Sequence, residues 1–232
     1  MSIAENIARV REHIAAAARE AGRGPDEITL VGASKMNDAA ACREAVAAGI
    51  DALGENRVQE MVQKLGENAY EGAPLHFIGH LQRNKVKQVV GHAALIQSAG
   101  SSALLEEIEK AAGKLGIVQD VLLEVNIGQE EAKSGFSPNE VFAVAEQALS
   151  LSHVRVRGVM TIPPFDASRE ENLHYFEEVR GLYVDINEKL FHNKLIYLSM
   201  GMSGDYEDAI RAGATMVRVG TAIFGARNYQ NP

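Results

Sequence analysis

The sequence predicts an α/β fold: a single (β/α)8 barrel of the TIM type with one extra helix at its N-terminus. Three observations carry this. Eight apolar segments rich in β-branched residues alternate with helix-like stretches, a rhythm that implies parallel strand pairing. The 232 residues suit one such barrel. No Pro/Gly-rich linker, low-complexity tract or step in composition divides them, so residues 1–232 are expected to form one domain. An open doubly wound sheet is the alternative with the same rhythm.

The elements follow in order. Residues 2–22 predict an amphipathic helix, because Ile3, Ile7, Val10 and Ile14 recur at helical spacing and Gly22 and Gly24-Pro25 stop it. Strands are expected near 28–34, 50–54, 75–79, 93–97, 117–126, 153–162, 195–199 and 214–219. Helices are expected between them near 39–48, 56–68, 83–91, 101–115, 137–150, 168–191 and 204–212, with a short one at 221–227.

Composition narrows the function. With 23 Lys and Arg against 31 Asp and Glu, the net charge of −8 argues against general nucleic-acid or anionic-membrane binding, so any anion site must be local. Cys42 is the only cysteine, which rules out an intrachain disulfide and a thiolate metal cluster and fits a reducing compartment. Its alanine-rich surroundings suggest a small buried hydrophobe. Charges among the first residues interrupt any signal-peptide core, and no apolar run is long enough to span a bilayer. A cytoplasmic protein is expected.

In a barrel of this kind the active site lies at the C-terminal ends of the strands. Lys35, Asn56, His80, Asn126, Thr161, Gly201 and Gly220 fall at or just past such ends. Lys35 ends the run Ile28-Thr29-Leu30-Val31-Gly32-Ala33-Ser34. A desolvated amine there can act as a Schiff-base nucleophile; a surface lysine capping a strand is the plainer reading.

Two segments near the C-terminus weigh on that choice. Ser199-Met200-Gly201-Met202-Ser203-Gly204-Asp205 follows a strand and opens a helix, so its N–H groups and hydroxyls can bind an anion. Equally, Ser203 can be a helix N-cap for Tyr206 and Glu207. A serine-hydrolase elbow is excluded, since Asp205 stands where glycine would be needed. In Arg218-Val219-Gly220-Thr221, alternation puts Arg218 on the face of Met216, opposite Val217 and Val219. A charge at that position needs a partner, either a ligand or a carboxylate. The loops after the seventh and eighth strands of such barrels frequently form a phosphate site, and these two segments occupy those positions.

Taken together, the motifs resemble one family. They are Val31 to Lys35, Gly54-Glu55-Asn56-Arg57-Val58-Gln59-Glu60, His76 to Lys85, Glu124-Val125-Asn126, Lys133-Ser134-Gly135-Phe136, Gly158 to Ile162, Leu198 to Asp205 and Arg218 to Gly225. In this order over nearly the whole chain they are similar to the pyridoxal 5′-phosphate (PLP) homeostasis proteins, small barrels like that of alanine racemase. The resemblance implies PLP fold type III, with PLP as cofactor attached covalently at Lys35 as a Schiff base. It implies phosphate binding by Ser203, Gly204, Gly220 and Thr221, Arg218 at the pyridine nitrogen, and Asn56 and Met200 lining the cofactor. An arginine there stays protonated and can only donate, which keeps the ring nitrogen unprotonated and weakens the electron sink. Met36-Asn37, Leu75 and Gln97-Ser98-Ala99-Gly100 depart from the family pattern and bear on loop shape and ring stacking, not on attachment.

The expected function is therefore PLP homeostasis without robust catalysis, with PLP-dependent apo-enzymes as partners and a monomeric state. Racemases and decarboxylases of this fold carry a second, β-rich domain, for which few residues remain after Gly225. No motif places a second base opposite Lys35, although Tyr175, Tyr183 or Tyr206 could approach it in the fold; an amino-acid racemase or lyase is the alternative. No catalytic residue and no metal ligand is assigned. His76 and His80 have a metal-like spacing but flank a strand end without a carboxylate. Arg83, Lys85 and Lys87 read as a solvated face or an anion patch, and the Glu130–Lys133 loop as a lid or a plain loop.

Overall fold

The computed structural model describes residues 1–225. Eight parallel strands close in sequence order, β1 to β8, with β8 pairing back onto β1. They are β1 (Thr29–Ala33), β2 (Ala52–Glu55), β3 (Leu75–Phe77), β4 (Leu95–Ala99), β5 (Gln119–Val125), β6 (Val154–Thr161), β7 (Tyr197–Ser199) and β8 (Met216–Val219). The open-sheet alternative is thereby excluded.

The helices are α1 (Ile3–Glu20), α2 (Ala39–Ala47), α3 (Val58–Gly66), α4 (Ser102–Leu115), α5 (Val141–Ala148), α6 (Arg169–Lys189), α7 (Tyr206–Arg211) and α8 (Thr221–Phe224). Ser2 and Glu5 form a capping box at the start of α1, and Ser168 and Glu171 form another at the start of α6. The expected helix at 83–91 is instead a 3-10 turn, Arg83–Gln88. No side chain caps it, and it closes through Lys85 N–H to the Gln82 carbonyl and Val89 N–H to the Val86 carbonyl. Another 3-10 turn, Pro25–Glu27, was not expected. Of the helix expected at 221–227, residues 226 and 227 lie outside the described residues.

Strand alternation sorts the apolar residues into two layers. Leu30, Leu53, Phe77, Ile96, Leu123, Val159, Leu198 and Val217 face outward and pack under the helices. Val31, Ala52, Leu95, Leu122, Met160 and Met216 face inward and fill the barrel. The barrel interior is thus packed and leaves chemistry to its rim. No helix among the described residues is long and apolar enough to cross a membrane.

Candidate cofactor site at the barrel mouth

Lys35 stands two residues beyond the end of β1, in a turn. Asn37 N–H donates to the Ser34 carbonyl at 3.1 Å across it, and Met36 takes a left-handed φ of 62°. That conformation suits glycine or asparagine better than methionine. Fixed contacts hold it. Glu60 Oε2 accepts from Met36 N–H at 2.8 Å, and Asn37 Nδ2 donates to the Lys35 carbonyl at 3.1 Å. The Lys35 side chain is half-buried.

Beneath the turn lies a cluster that sequence reasoning did not anticipate. Glu55 faces outward from β2 and is wholly buried against α3. Its Oε1 lies 2.6 Å from Lys64 Nζ and accepts from the Ser34 hydroxyl at 2.6 Å and the Tyr70 hydroxyl at 3.1 Å. Lys64 Nζ also donates to the Ser34 carbonyl at 2.8 Å. Burial, and then the Glu55 carboxylate, push the Tyr70 hydroxyl far above its ordinary range. Cys42 is fully buried and its thiol is likewise pushed up by desolvation, which leaves it a small hydrophobe. Lys64 follows Met61 by three residues on the apolar stripe of α3, the one sequence signal that it is buried.

Arg218 faces into the barrel, as alternation predicts, and is 3% exposed. Its backbone is in register with Val31 of β1, so it lies below the Lys35 turn on the neighbouring strand. Its Nη1 donates to the Ser199 hydroxyl at 2.5 Å and its Nη2 to the Thr161 carbonyl at 2.8 Å. Among the described residues no carboxylate comes within ion-pair distance of it, so the ligand-free alternative of a direct carboxylate pair is not realised. Desolvation pulls its pKa down to about 10, and the more distant Asp205 and Glu124 charges offset only part of that. Those two carboxyls are themselves raised by burial.

Ser203 is not an N-cap for α7. Asp205 occupies that position and accepts from Met202 N–H at 2.6 Å. The Ser203 hydroxyl instead accepts from Gly220 N–H at 3.1 Å and Ala222 N–H at 3.5 Å. The two segments expected to share an anion site are therefore tied to each other. A Cβ on Gly220 would come within 3.3 Å of the Ala33 carbonyl, so this cradle abuts the end of β1, whereas a Cβ on Gly204 would meet open space. Thr221 is exposed at the start of α8.

Asn56 is half-buried just past β2, and its Oδ1 is buried without a hydrogen-bond partner. Met200 departs from the expectation. The alternation that turns Ser199 inward turns Met200 outward, and its side chain is fully buried in the layer under the helices. His76 lies inside the barrel and His80 is exposed. Tyr183 donates to the Leu195 carbonyl at 3.0 Å, at the end of β7 away from the mouth. Lys133 pairs with Glu130 and donates to the Pro163 carbonyl at 3.4 Å, so the Glu130–Lys133 loop, read as a lid or a plain loop, is tied across to the β6–α6 connection.

The comparisons bear on the fold and the family. The family model for the alanine racemase N-terminal domain matches residues 2–228. The pyridoxal phosphate homeostasis protein of Aquifex aeolicus is 44% identical, covering 99% of this chain and 100% of its own. The structure of PipY from Synechococcus elongatus with PLP bound is 35% identical, with a TM-score of 0.84 over 97% of this chain and 100% of that one. An alanine racemase from Clostridium difficile is 17% identical and shares the fold, with a TM-score of 0.74 over 99% of this chain and 58% of that one. The chain belongs to the pyridoxal phosphate homeostasis protein family, built on the alanine racemase N-terminal domain.

Proposed function

We propose that this chain holds PLP, joined to the Lys35 amine at the barrel mouth, and serves PLP homeostasis without robust catalysis of its own. The observation that carries this is Arg218. A guanidinium buried inside a barrel with only a hydroxyl and a carbonyl as partners is costly unless a further acceptor meets it. PLP offers three handles: a carbonyl for an amine, a ring nitrogen for a donor and a phosphate ester for N–H groups. The mouth offers one match for each.

Lys35 is the amine. Arg218 donates to the ring nitrogen and, being unable to accept, keeps it unprotonated. Ser203, Gly204, Gly220 and Thr221 hold the phosphate. The unpartnered Asn56 Oδ1 is an acceptor for a ring hydroxyl. The Met200 backbone borders the cofactor while its side chain anchors β7 to the helices. When bound, PLP supplies a carbonyl that exchanges reversibly between amines, which is the chemistry of storage and delivery. The residues of the chain hold and orient it.

The homeostasis name carried by full-length relatives and the PLP-bound PipY support the reading. So does the commitment of Tyr183 to the far end of β7, which removes one candidate for an opposing base. PLP-dependent apo-enzymes are the recipients in this reading, and the chain acts as a cytoplasmic monomer forming one domain. The test is incubation of PLP-loaded protein with single L-amino acids, followed by a chiral assay of the products. No turnover above that of free PLP is expected. Turnover well above it would contradict the carrier function and favour a racemase or lyase.

A further inference from the structure

Inside the barrel, Arg218 is the end of a longer file. Its Nη1 donates to the Ser199 hydroxyl at 2.5 Å. Ser199 donates to Gln97 Oε1 at 2.7 Å. Gln97 Nε2 in turn lies 3.0 Å from His76 Nδ1 and 3.1 Å from Met216 Sδ. His76 lines a cavity of about 550 Å³ at the N-terminal face of the barrel, with Thr29, Asp51, Ala52 and Tyr197. The file thus runs through the packed interior from the mouth to the opposite face.

We propose that Gln97 and His76 are positioning residues for Arg218, holding Ser199 so that the guanidinium keeps its remaining N–H groups toward the cofactor. This rests on the PLP reading of the mouth.

The direction of the file is determined by chemistry. Arginine only donates, so Ser199 must accept from it. The one proton of Ser199 then goes on to Gln97, whose carbonyl oxygen must face it. That leaves the Gln97 amide N–H groups toward His76 and the Met216 sulfur, both of which accept. His76 therefore carries its proton on Nε2 and accepts at Nδ1. The alternative tautomer would put two donors face to face, turn the Gln97 amide over and take away the acceptor that fixes the Ser199 hydroxyl. Desolvation of His76, which lowers its pKa to about 4, keeps the ring neutral as the file requires.

The test compares Gln97→Leu, His76→Leu and His76→Asn with the parent, all loaded with PLP. Losing one neutral buried hydrogen bond weakens retention by about 3- to 10-fold, so both leucine variants should release PLP that much more readily. Their absorbance band should also shift as Arg218 turns. His76→Asn places an amide oxygen near the position of Nδ1 and should restore both readouts. If the leucine variants match the parent, or if His76→Asn behaves as His76→Leu does, the proposal is overturned while the PLP reading stands. If the parent itself retains no PLP, the carrier reading fails and this one falls with it. Should the variants not fold, nitrogen-15 spectra of the parent decide: a neutral His76 protonated at Nε2 is expected, and a proton on Nδ1 would overturn the file.

Discussion

Lys64 Nζ lies 2.6 Å from Glu55 Oε1, with both groups sealed between β2 and α3 directly beneath the turn that carries Lys35. A buried ion pair is seldom a net source of stability, because desolvating two charges offsets their attraction. What this pair does visibly is hold Ser34, whose hydroxyl and carbonyl it engages from both sides. Lys64→Met strands the Glu55 charge and should cost about 3–5 kcal/mol in urea unfolding. The double variant with Glu55→Leu should recover much of that stability while still attaching PLP at Lys35 poorly. Normal attachment in the double variant would show that the pair does not position the turn.

Arg218→Glu should disturb both the spectrum and the affinity of bound PLP. It replaces a donor with an acceptor beside a ring nitrogen that itself accepts. Losing a charge-assisted bond alone is worth about 1.5–3 kcal/mol, or roughly 10- to 150-fold in retention. Equilibrium dialysis reads the affinity and absorbance the spectrum; parental values in both would remove Arg218 from the site.

Acid should weaken the fold partly through His76. Burial holds its pKa at about 4, whereas in the unfolded chain it takes up a proton near 6.5. Between those values the unfolded state binds more protons, so stability is full above about 6.5 and falls as pH drops toward 4. The contribution is about 3 kcal/mol across the window. His76→Asn should flatten the unfolding free energy over that range relative to the parent, as followed by denaturant titrations at successive pH values. An unchanged slope would contradict a desolvated, neutral ring.

Gly79→Ala should damage the site from behind. A Cβ there would overlap the Asn56 carbonyl and Cα, which cross it closely. Overpacking of this kind costs about 1–3 kcal/mol and would displace Asn56 from the mouth. Lower unfolding midpoints together with weaker PLP retention are expected; a loss of stability with unchanged retention would take Asn56 out of the site.

The barrel and its rim were legible because they are written locally. The inward aim of Arg218 follows from alternation along four residues of β8, and Lys35 from one apolar run and its turn. Even so, β1 ends at Ala33; Ser34 N–H still donates to the Gly54 carbonyl at 3.0 Å, while its hydroxyl turns to Glu55. The same alternation, applied to β7, would have turned Met200 outward. Two things could not be read from neighbours in sequence. Ser203 meets Gly220 rather than its own helix because two loops fold onto each other. Gln97 meets Ser199 across the barrel, 102 residues away, a contact that exists only once the sheet has closed. The segment at 83–91 misled because Val86, Val89 and Val90 are spaced as on a helix and all are buried, yet the backbone there is a 3-10 turn over Arg83–Gln88.

In the proposed function the Lys35 amine carries PLP above Arg218. The most direct measurement is borohydride treatment of the PLP-loaded protein followed by mass mapping of its peptides. One cofactor-sized addition is expected, on Lys35, absent from a folded Lys35→Ala variant. No addition, or an addition on another lysine in the parent, would contradict it.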